Sequence, residues 1–477
     1  MLEQQYLLAN NHRAVYKSHS ARWERLCRTY LPYKAKDSIW RYSREESPDD
    51  PEQGWKLHVS ATVLGACHIM ERTGPLLRRR QVLYKAPASL DELDKLNSGL
   101  YYGYSQVGKF LTIYPRTDEE AVLLARALHL ITRHTPGPAV PFDLRYRPDG
   151  CVYYRYGAFK AMEIDGPDGS RIFAMRDPGG RLVPDPRDSN AKPVWAVDPF
   201  PPQRAARAHK PSPSPLKTTY KAFRALSQRG KGGVYQALDL SGGEPRLCVL
   251  KEGRRDGEVG WDGRDGFWRV RHEARVLDAL DKAGAGVPRV YASFEADGNF
   301  YLAAEHVEGV NLENWLGRKR RRLALARSLR YSVELATVLA RVHAAGWVWR
   351  DCKPRNIILT PRGRLRPLDF EGACMVSRPD PVPWGTPCYI PPEWGAKFTG
   401  RSRLPEDLYA LGSIIYLLLT GCPPEAAPTL TLEKLRRNVP TAARRVVAEL
   451  LDADPRRRPH AHTVARRLTA VLDGKKT

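Results

Sequence analysis

Hydrophobic and polar positions follow two periods along this chain, and where the period changes the chain divides. From Glu3 to Leu31 apolar residues recur at helical spacing, with Tyr6, Tyr16, Trp23 and Tyr30 among them, and Pro32 ends the run. The same spacing predicts helices over Ser60–Arg79 and Glu119–His134. Alternation with period two predicts strands over Gly54–Val59, Val82–Lys85, Phe110–Tyr114 and Val152–Tyr156. Residues 1–175 therefore read as an α+β domain with its own core. Residues 176–216 carry no period at all: Asp177-Pro-Gly-Gly180, Pro184, Pro186, Pro199 and Lys210-Pro-Ser-Pro-Ser-Pro215 predict a proline-rich linker. Pattern resumes from 217 to 477, where Cys248–Lys251 and Ile357–Leu359 read as strands and Arg271–Leu280 as a helix. The longest apolar stretch, Leu408–Leu419, is too short for a bilayer and fits a buried helix.

A chain of 477 residues, 42% hydrophobic and 27% charged, can build two or three globular units. No secretory pattern opens it, and its eight cysteines are scattered without a C-x-x-C pair or a Cys-His zinc spacing, so a reducing cytoplasm and no membrane are expected. The net charge of +24 fits an acidic or phosphate-bearing partner, and equally an arginine-rich composition with no specific partner. Nucleic acid is not the expected one, since neither a helix-turn-helix nor an aromatic-basic pattern is present. The run Arg318–Arg322 reads as a solvated loop face.

The densest chemistry lies in Trp349-Arg-Asp-Cys-Lys-Pro-Arg-Asn356 and Leu368-Asp-Phe-Glu371. Phosphoryl transfer needs a carboxylate to accept the hydrogen bond of an incoming hydroxyl, and Asp351 is placed for that. Lys353 can neutralise the moving phosphoryl group, while Asn356 and Asp369 offer oxygens to magnesium. Upstream, Arg229-Gly-Lys-Gly-Gly-Val234 offers backbone amides to phosphate at Gly230, Gly232 and Gly233. Lys251 closes an apolar run, and Glu273 sits on a helix downstream of it.

These segments resemble the catalytic loop, metal loop, glycine-rich loop and lysine strand of eukaryotic-like protein kinases, over residues 218–470. The resemblance implies a two-lobed fold, ATP and Mg2+, a Lys251–Glu273 pair, Val234 over the nucleotide, and an adenine hinge at Glu305 and Val307. It also implies a Glu393–Arg458 ion pair and Asp407 as anchor of the catalytic loop. Aligned on Gly232-x-Val234, two family glycines become Ser227 and Arg229. Trp349 replaces a packing histidine, Cys352 a leucine, and Glu371 the glycine of D-F-G; a metal loop that does not flip readily is expected. The short proline-rich segment 372–384 argues against switching by phosphorylation, and 254–266 reads as a flexible insertion.

In the first half, Lys56 and His58 alternate on one strand and so share a face. Lys85 closes another strand; Lys109, Arg145, Arg147 and Arg155 add cations that together suit a phosphate. Lys-x-His with a later strand lysine resembles the phosphothreonine lyases. More closely, Tyr6–Phe159 resembles the lyase domain of class III and class IV lanthipeptide synthetases, which also carry Asp-Phe-Glu in their kinase. In that chemistry Lys85 is the base for the Cα proton, His58 the acid toward the departing phosphate, and Lys56 the stabiliser of enolate charge. The expected activity is phosphorylation of Ser/Thr in a ribosomal precursor peptide, then elimination to dehydroalanine or dehydrobutyrine. No cyclase-type zinc set follows the kinase region, so a separate cyclase is a partner left open. The rival readings are a signalling kinase with a phosphopeptide-binding first half, and a non-catalytic scaffold; intact Lys251, Asp351, Asn356 and Asp369 count against the scaffold.

Overall fold

The computed structural model describes residues 10–34, 38–189, 192–201, 214–318, 322–382, 384–394, 404–424 and 428–474. Its first unit is a six-stranded sheet with helices packed against it. The described part of the first helix, α1, is Asn10–Tyr30. It is followed by β1 (Trp40–Tyr42), β2 (Gln53–Val59), α2 (Ala66–Arg80), β3 (Leu83–Pro87), α3 (Leu90–Ser98), β4 (Leu111–Tyr114), α4 (Asp118–Thr132), β5 (Leu144–Arg145) and β6 (Val152–Ala158). The helices start where side chains can take their free amides. Thr117 accepts from Glu120 N ahead of α4, and Ser89 accepts from Glu92 N ahead of α3. Sheet order is β1-β3-β4-β2-β6-β5, all neighbours antiparallel. Trp23, Leu57, Ile69, Tyr84 and Phe110 fill the space between sheet and helices.

Residues 176–201 depart from the expected linker. A small sheet, β7 (Glu163–Asp165), β8 (Arg171–Arg176) and β9 (Leu182–Pro184), runs into them, and Ala196 and Phe200 are buried in the first unit's core. Phe200 packs on Tyr154 at 4.0 Å between ring centroids, apolar area that the proline pattern concealed. Residues 202–213 lie outside the described residues.

The second unit has two lobes. The smaller is a five-stranded antiparallel sheet, in the order β10 (Tyr220–Arg229), β11 (Gly232–Asp239), β12 (Arg246–Gly253), β14 (Asn299–Glu305), β13 (Val290–Ala296), backed by α5 (Gly266–Lys282). The larger begins with β15 (Val310–Asn311), α6 (Leu312–Gly317) and α7 (Leu325–Ala344), then the short strands β16 (Trp347–Val348), β17 (Ile357–Leu359), β18 (Leu365–Pro367) and β19 (Cys374–Met375). Helices α8 (Leu404–Thr420), α9 (Pro428–Leu435), α10 (Thr441–Leu450) and α11 (Ala461–Leu472) complete it. Leu408–Leu419 lies inside α8, buried among Leu335, Leu339, Val447 and Leu468.

Arg458 makes a two-pronged contact to Glu393, 2.7 Å for each nitrogen, and its guanidinium is fully shielded from solvent. Arg458→Ala strands the carboxylate without its cation and should cost about 3 kcal/mol or more. Urea unfolding followed by tryptophan fluorescence would show it as a lowered midpoint; an unchanged midpoint would remove this pair from the stability of the lobe.

The segment 254–266 also differs from expectation, because it is held rather than loose. Arg254 donates to Glu252 and to Arg229 O and lies over the Tyr104 ring, and Trp261 stands edge-on to Tyr16 at 5.2 Å, packed on the first unit's core. The two units are thus joined through this segment.

Candidate functional site

Antiparallel register lines up the chemistry of the first unit. One row across the sheet reads Tyr42, Lys85, Thr112, His58, Tyr153, Arg145, and the next holds Lys56 opposite Arg155. Cross-strand spacing puts Lys85 and His58 about 10 Å apart at their backbones, the width of a phosphorylated residue between them, and Arg145 about 10 Å beyond His58. Lys56, His58, Lys109 and Arg155 are 7%, 2%, 6% and 8% exposed. Such a set of cations does not stay buried without anions.

Two carboxylates that the sequence did not single out supply part of the balance. Asp143 meets His58 Nδ1 at 2.5 Å and Lys109 Nζ at 3.6 Å; Asp185 accepts from Arg155 at 2.7 Å and lies 3.6 Å from Arg187. Phe142, just before Asp143, has a positive φ of 64°, a costly backbone that turns the carboxylate inward. Five cations, Lys56, Lys85, Lys109, Arg155 and Arg187, face these two acids, so the cluster remains electron-poor.

The electrostatics follow. Burial, with Arg187 and Lys109 nearby, pulls Lys85 down to about 8. Burial, then Arg155, takes Lys56 well below the ordinary lysine range. Burial also takes His58 down to about 4 against the pull of Asp143, with Lys109 and Lys56 adding to the fall. Asp143, opposed by burial but drawn by His58 and Lys109, drops to about 2. Lys56 and Lys85 differ in freedom. Lys56 Nζ donates to Ala158 O at 2.6 Å. Lys85 Nζ has no hydrogen bond among the described residues and rests 4.4 Å from the centre of the Trp40 ring. Of the two, Lys85 can accept a proton without giving up a partner.

Arg145 and Arg147 differ from the expected phosphate site. Arg145 sits on the edge strand, bonded to Tyr153 Oη and Pro148 O and facing Asp256 of the second unit. Arg147 lies on the Tyr146 ring and donates to Tyr146 O and Pro201 O. Arg145 lies on the marginal strand β5 and Arg147 beyond its end, each engaged as described; Arg187, from the stretch expected to be linker, stands 3.6 Å from Asp185 of the cluster.

In the second unit the cleft between lobes collects the other set. Lys251, on β12 opposite Val234, donates to both oxygens of Glu273 at 2.7 and 2.8 Å, and Glu273 also accepts from Phe370 N. Glu273 and Asp369 raise Lys251 although burial opposes it. Asp351 accepts from Lys353 at 2.8 Å, from Asn356 Nδ2 at 2.9 Å and from Thr386 at 3.1 Å. Asp407 accepts from Trp349 N and Arg350 N, both at 2.7 Å, which pins the loop from below. The Trp349 indole stacks on Phe370 and donates to Asp369 O, so the aromatic that replaces histidine ties the two loops together.

The residues fit a nucleotide-bound divalent cation. Asp369 Oδ1 is buried with no hydrogen-bond partner among the described residues, and Asn356 spends its amide hydrogens on Asp351, leaving its carbonyl oxygen. Lys251, Lys231 and Lys353 hold Asp369 ionised below the usual carboxylate range despite its burial. Glu371 is not among the positive-φ residues; its carboxylate pairs with Lys231 of the glycine-rich turn. Arg350 donates to Gly372 O and Val382 O and lies 3.6 Å from Asp380, so backbone and an acid occupy it where a phosphorylated residue would otherwise pair.

Gly232, Gly233 and Val234 open β11 over this cleft. Gly230 does not serve it: its N–H donates to Ser98 O of the first unit at 3.0 Å, and a Cβ there would meet Asn97 O at 1.6 Å. At the hinge, Arg366 holds the Glu305 carboxylate at 2.9 and 3.2 Å, so an adenine contact from this position goes through backbone. Val307 follows two residues on, half-buried.

Among known proteins, residues 30–212 match the RamC N-terminal domain and residues 229–468, just over half the chain, the protein kinase domain. A protein of Streptomyces coelicolor named probable SapB synthase is 31% identical over 402 residues, 80% of this chain and 41% of that protein. Serine/threonine-protein kinase PknA of a Nostoc species is 32% identical over 228 residues, 45% of this chain and 39% of its own length. The 3-phosphoinositide-dependent protein kinase 1 of Arabidopsis thaliana is 30% identical over 214 residues, 40% of this chain and 43% of its own. The chain spans less than half of each of these relatives. With its catalytic cleft matched from glycine-rich turn to final helix, and a RamC N-terminal domain ahead of it, the chain belongs to the protein kinase family.

Proposed function

We propose that this chain is a two-step peptide dehydratase: its kinase unit phosphorylates Ser or Thr of a ribosomal precursor peptide with ATP, and its first unit eliminates the phosphate. The single observation that carries the reading is the electron-poor buried cluster beside an unencumbered lysine, in the same chain as an assembled kinase cleft. Support also comes from the match to the RamC N-terminal domain and from the similarity to the probable SapB synthase.

In the first step Asp351 orients the hydroxyl and accepts its hydrogen bond, Lys353 and Lys251 meet phosphoryl charge, and Asp369 and Asn356 would hold magnesium. Bound there, magnesium supplies charge neutralisation on the phosphates. In the second step Lys85 Nζ takes the Cα proton. The electron pair forms the Cα–Cβ double bond, the Cβ–O bond breaks, and phosphate leaves with a proton from His58. The empty cluster keeps His58 neutral; a phosphate dianion adds the counter-charge that lets it hold that proton. Asp143 fixes the ring, and Arg155 and Arg187 bind phosphate oxygens. Lys56 donates toward the developing enolate.

The test is the product mass with a Ser/Thr-rich precursor peptide and ATP. Loss of roughly 18 Da per site is expected, against a gain of roughly 80 Da if only the kinase acts. A product carrying only the gain would leave the chain a peptide kinase.

A pH profile adds a sign. Lys85 must be unprotonated to act, and in the His58→Ala variant, where no acid titrates against it, kcat/KM for elimination from a synthetic phosphopeptide should climb about tenfold per unit up to about pH 8 and level off above it. A flat profile between pH 6 and 9 would take the base role away from Lys85.

A further inference from the structure

On the larger lobe, lined by residues of neither site, α7 turns one face into a cleft of about 900 Å³ closed on its other side by β15, α6 and the β17–β18 turn. Arg327, Arg330, Glu334, Val338 and Arg341 follow one another at helical spacing along it, a length of about 21 Å from first to last. Its floor is apolar, with Val310, Trp315 and Leu359 beside Val338.

What marks the cleft is that its cations gather along one trough. Elsewhere on this lobe some arginines have carboxylate partners, as Arg355 with Glu313, Arg366 with Glu305, Arg444 with Glu433 and Arg467 with Glu449, and others, such as Arg322 and Arg436, donate to backbone carbonyls. In the cleft, Arg364 pairs with Glu334 at 2.8 Å. The side chains of Arg327, Arg330, Arg341 and Arg362 have no ion pair or hydrogen bond among the described residues. Four unpaired guanidinium groups therefore rim one apolar trough whose single acid is already engaged.

The cleft is also close to the chemistry. Asn356 ends the catalytic loop and Thr360 lines the cleft; only β17 lies between them, at most about 14 Å of chain. Val310 follows the hinge by three residues.

We propose that this trough is a docking site for an acidic, amphipathic segment of the peptide substrate, outside the residues that are modified. Aliphatic side chains of the segment fill the floor and its carboxylates meet the four arginines. The apolar floor is what favours a peptide, since a nucleic-acid backbone would need the cations alone. This inference rests on the substrate's being a peptide, and its test runs without ATP, so that its failure and that of the dehydratase reading are separate results.

The probe is a fluorescein-labelled helical peptide with leucines at i, i+3, i+4 and i+7 and glutamates elsewhere, followed by anisotropy on the full chain. Arg327→Ser/Arg330→Ser/Arg341→Ser should weaken binding about tenfold or more, with circular dichroism unchanged and kcat on a short Ser peptide unchanged. Arg330→Glu/Arg341→Glu should lose the acidic probe and gain a lysine-leucine counterpart. A precursor carrying an acidic segment should show a raised KM with the triple variant and an unaltered kcat. The proposal falls if wild type does not bind the acidic probe, or if the variants bind it as wild type does. It falls equally if a labelled oligothymidine binds wild type more tightly than the peptide and is the ligand the variants lose.

Discussion

Asp351→Asn should stop phosphorylation while leaving elimination from a ready-made phosphopeptide at the wild-type rate. The carboxylate accepts from Lys353, Asn356 and Thr386, so it stands where an incoming hydroxyl must be oriented. An amide of the same shape keeps the loop, since Asp407 anchors Trp349 and Arg350 independently. What it removes is the negative charge on which the hydroxyl proton and Lys353 both depend. Loss of such an acceptor typically costs ~10²–10⁴-fold in rate. Elimination draws on Lys85, His58 and the arginines of a different sheet, which this substitution does not touch. Incubating the variant with precursor and ATP should return unmodified mass, and with synthetic phosphopeptide the dehydrated mass. If elimination also disappears, the division of labour between the two units is wrong.

Lys85→Met has the opposite signature. The kinase unit continues, the Cα proton has no acceptor, and phosphopeptide builds up at roughly 80 Da per site. The loss should again fall in the ~10²–10⁴-fold range, enough to make the intermediate the main species. Methionine keeps most of the side chain's apolar contact with Trp40, so the change tests the amine. His58→Ala should act in the same direction but more mildly, because phosphate leaves tolerably without full protonation. Asp143→Asn should move elimination in the same direction, since the ring then loses the charge that helps it hold a proton, though an amide oxygen can still accept from Nδ1. Should Lys85→Met yield the same dehydrated product as wild type, a different group takes the proton; Lys56, also held low by burial, would be next to examine.

What could be read from sequence follows from distance along the chain. Asp351, Lys353 and Asn356 lie within six residues, and the structure finds them bonded to one another. Lys56 and His58 share a face because a strand alternates, and the predicted strands of the first unit and the helix at Glu119 fall within about two residues of their spans; the helix expected from Ser60 starts only at Ala66, and the expected start at Glu3 lies outside the described residues. Asp143 gave no local signal, because its value comes from His58, 85 residues away. Arg187 and Asp185 sit in a proline-rich stretch whose composition belongs equally to a linker and to a strap laid across a sheet. Arg145 and Arg147 show the reverse: the stretch was recognisable as cationic, but the place of Arg145 at the sheet margin depends on strand order, which local pattern does not carry. Trp261 and the segment around it were invisible as a contact because their partner is another unit's core.

The hydrogen bond from Gly230 to Ser98 bears on how such a chain can be rebuilt. Helix α3 starts five residues after Lys85 and ends at Ser98, so one short rigid rod runs from the proposed proton acceptor to the turn above the nucleotide cleft. The two units therefore do not exchange with those of other proteins as independent cassettes. A transplanted kinase unit would need residues 254–266 matched to the foreign α1, and a glycine at the position facing the end of α3, where a Cβ has no room. Swaps cut between the units should lose phosphorylation first, because the turn that covers ATP would be left without its support.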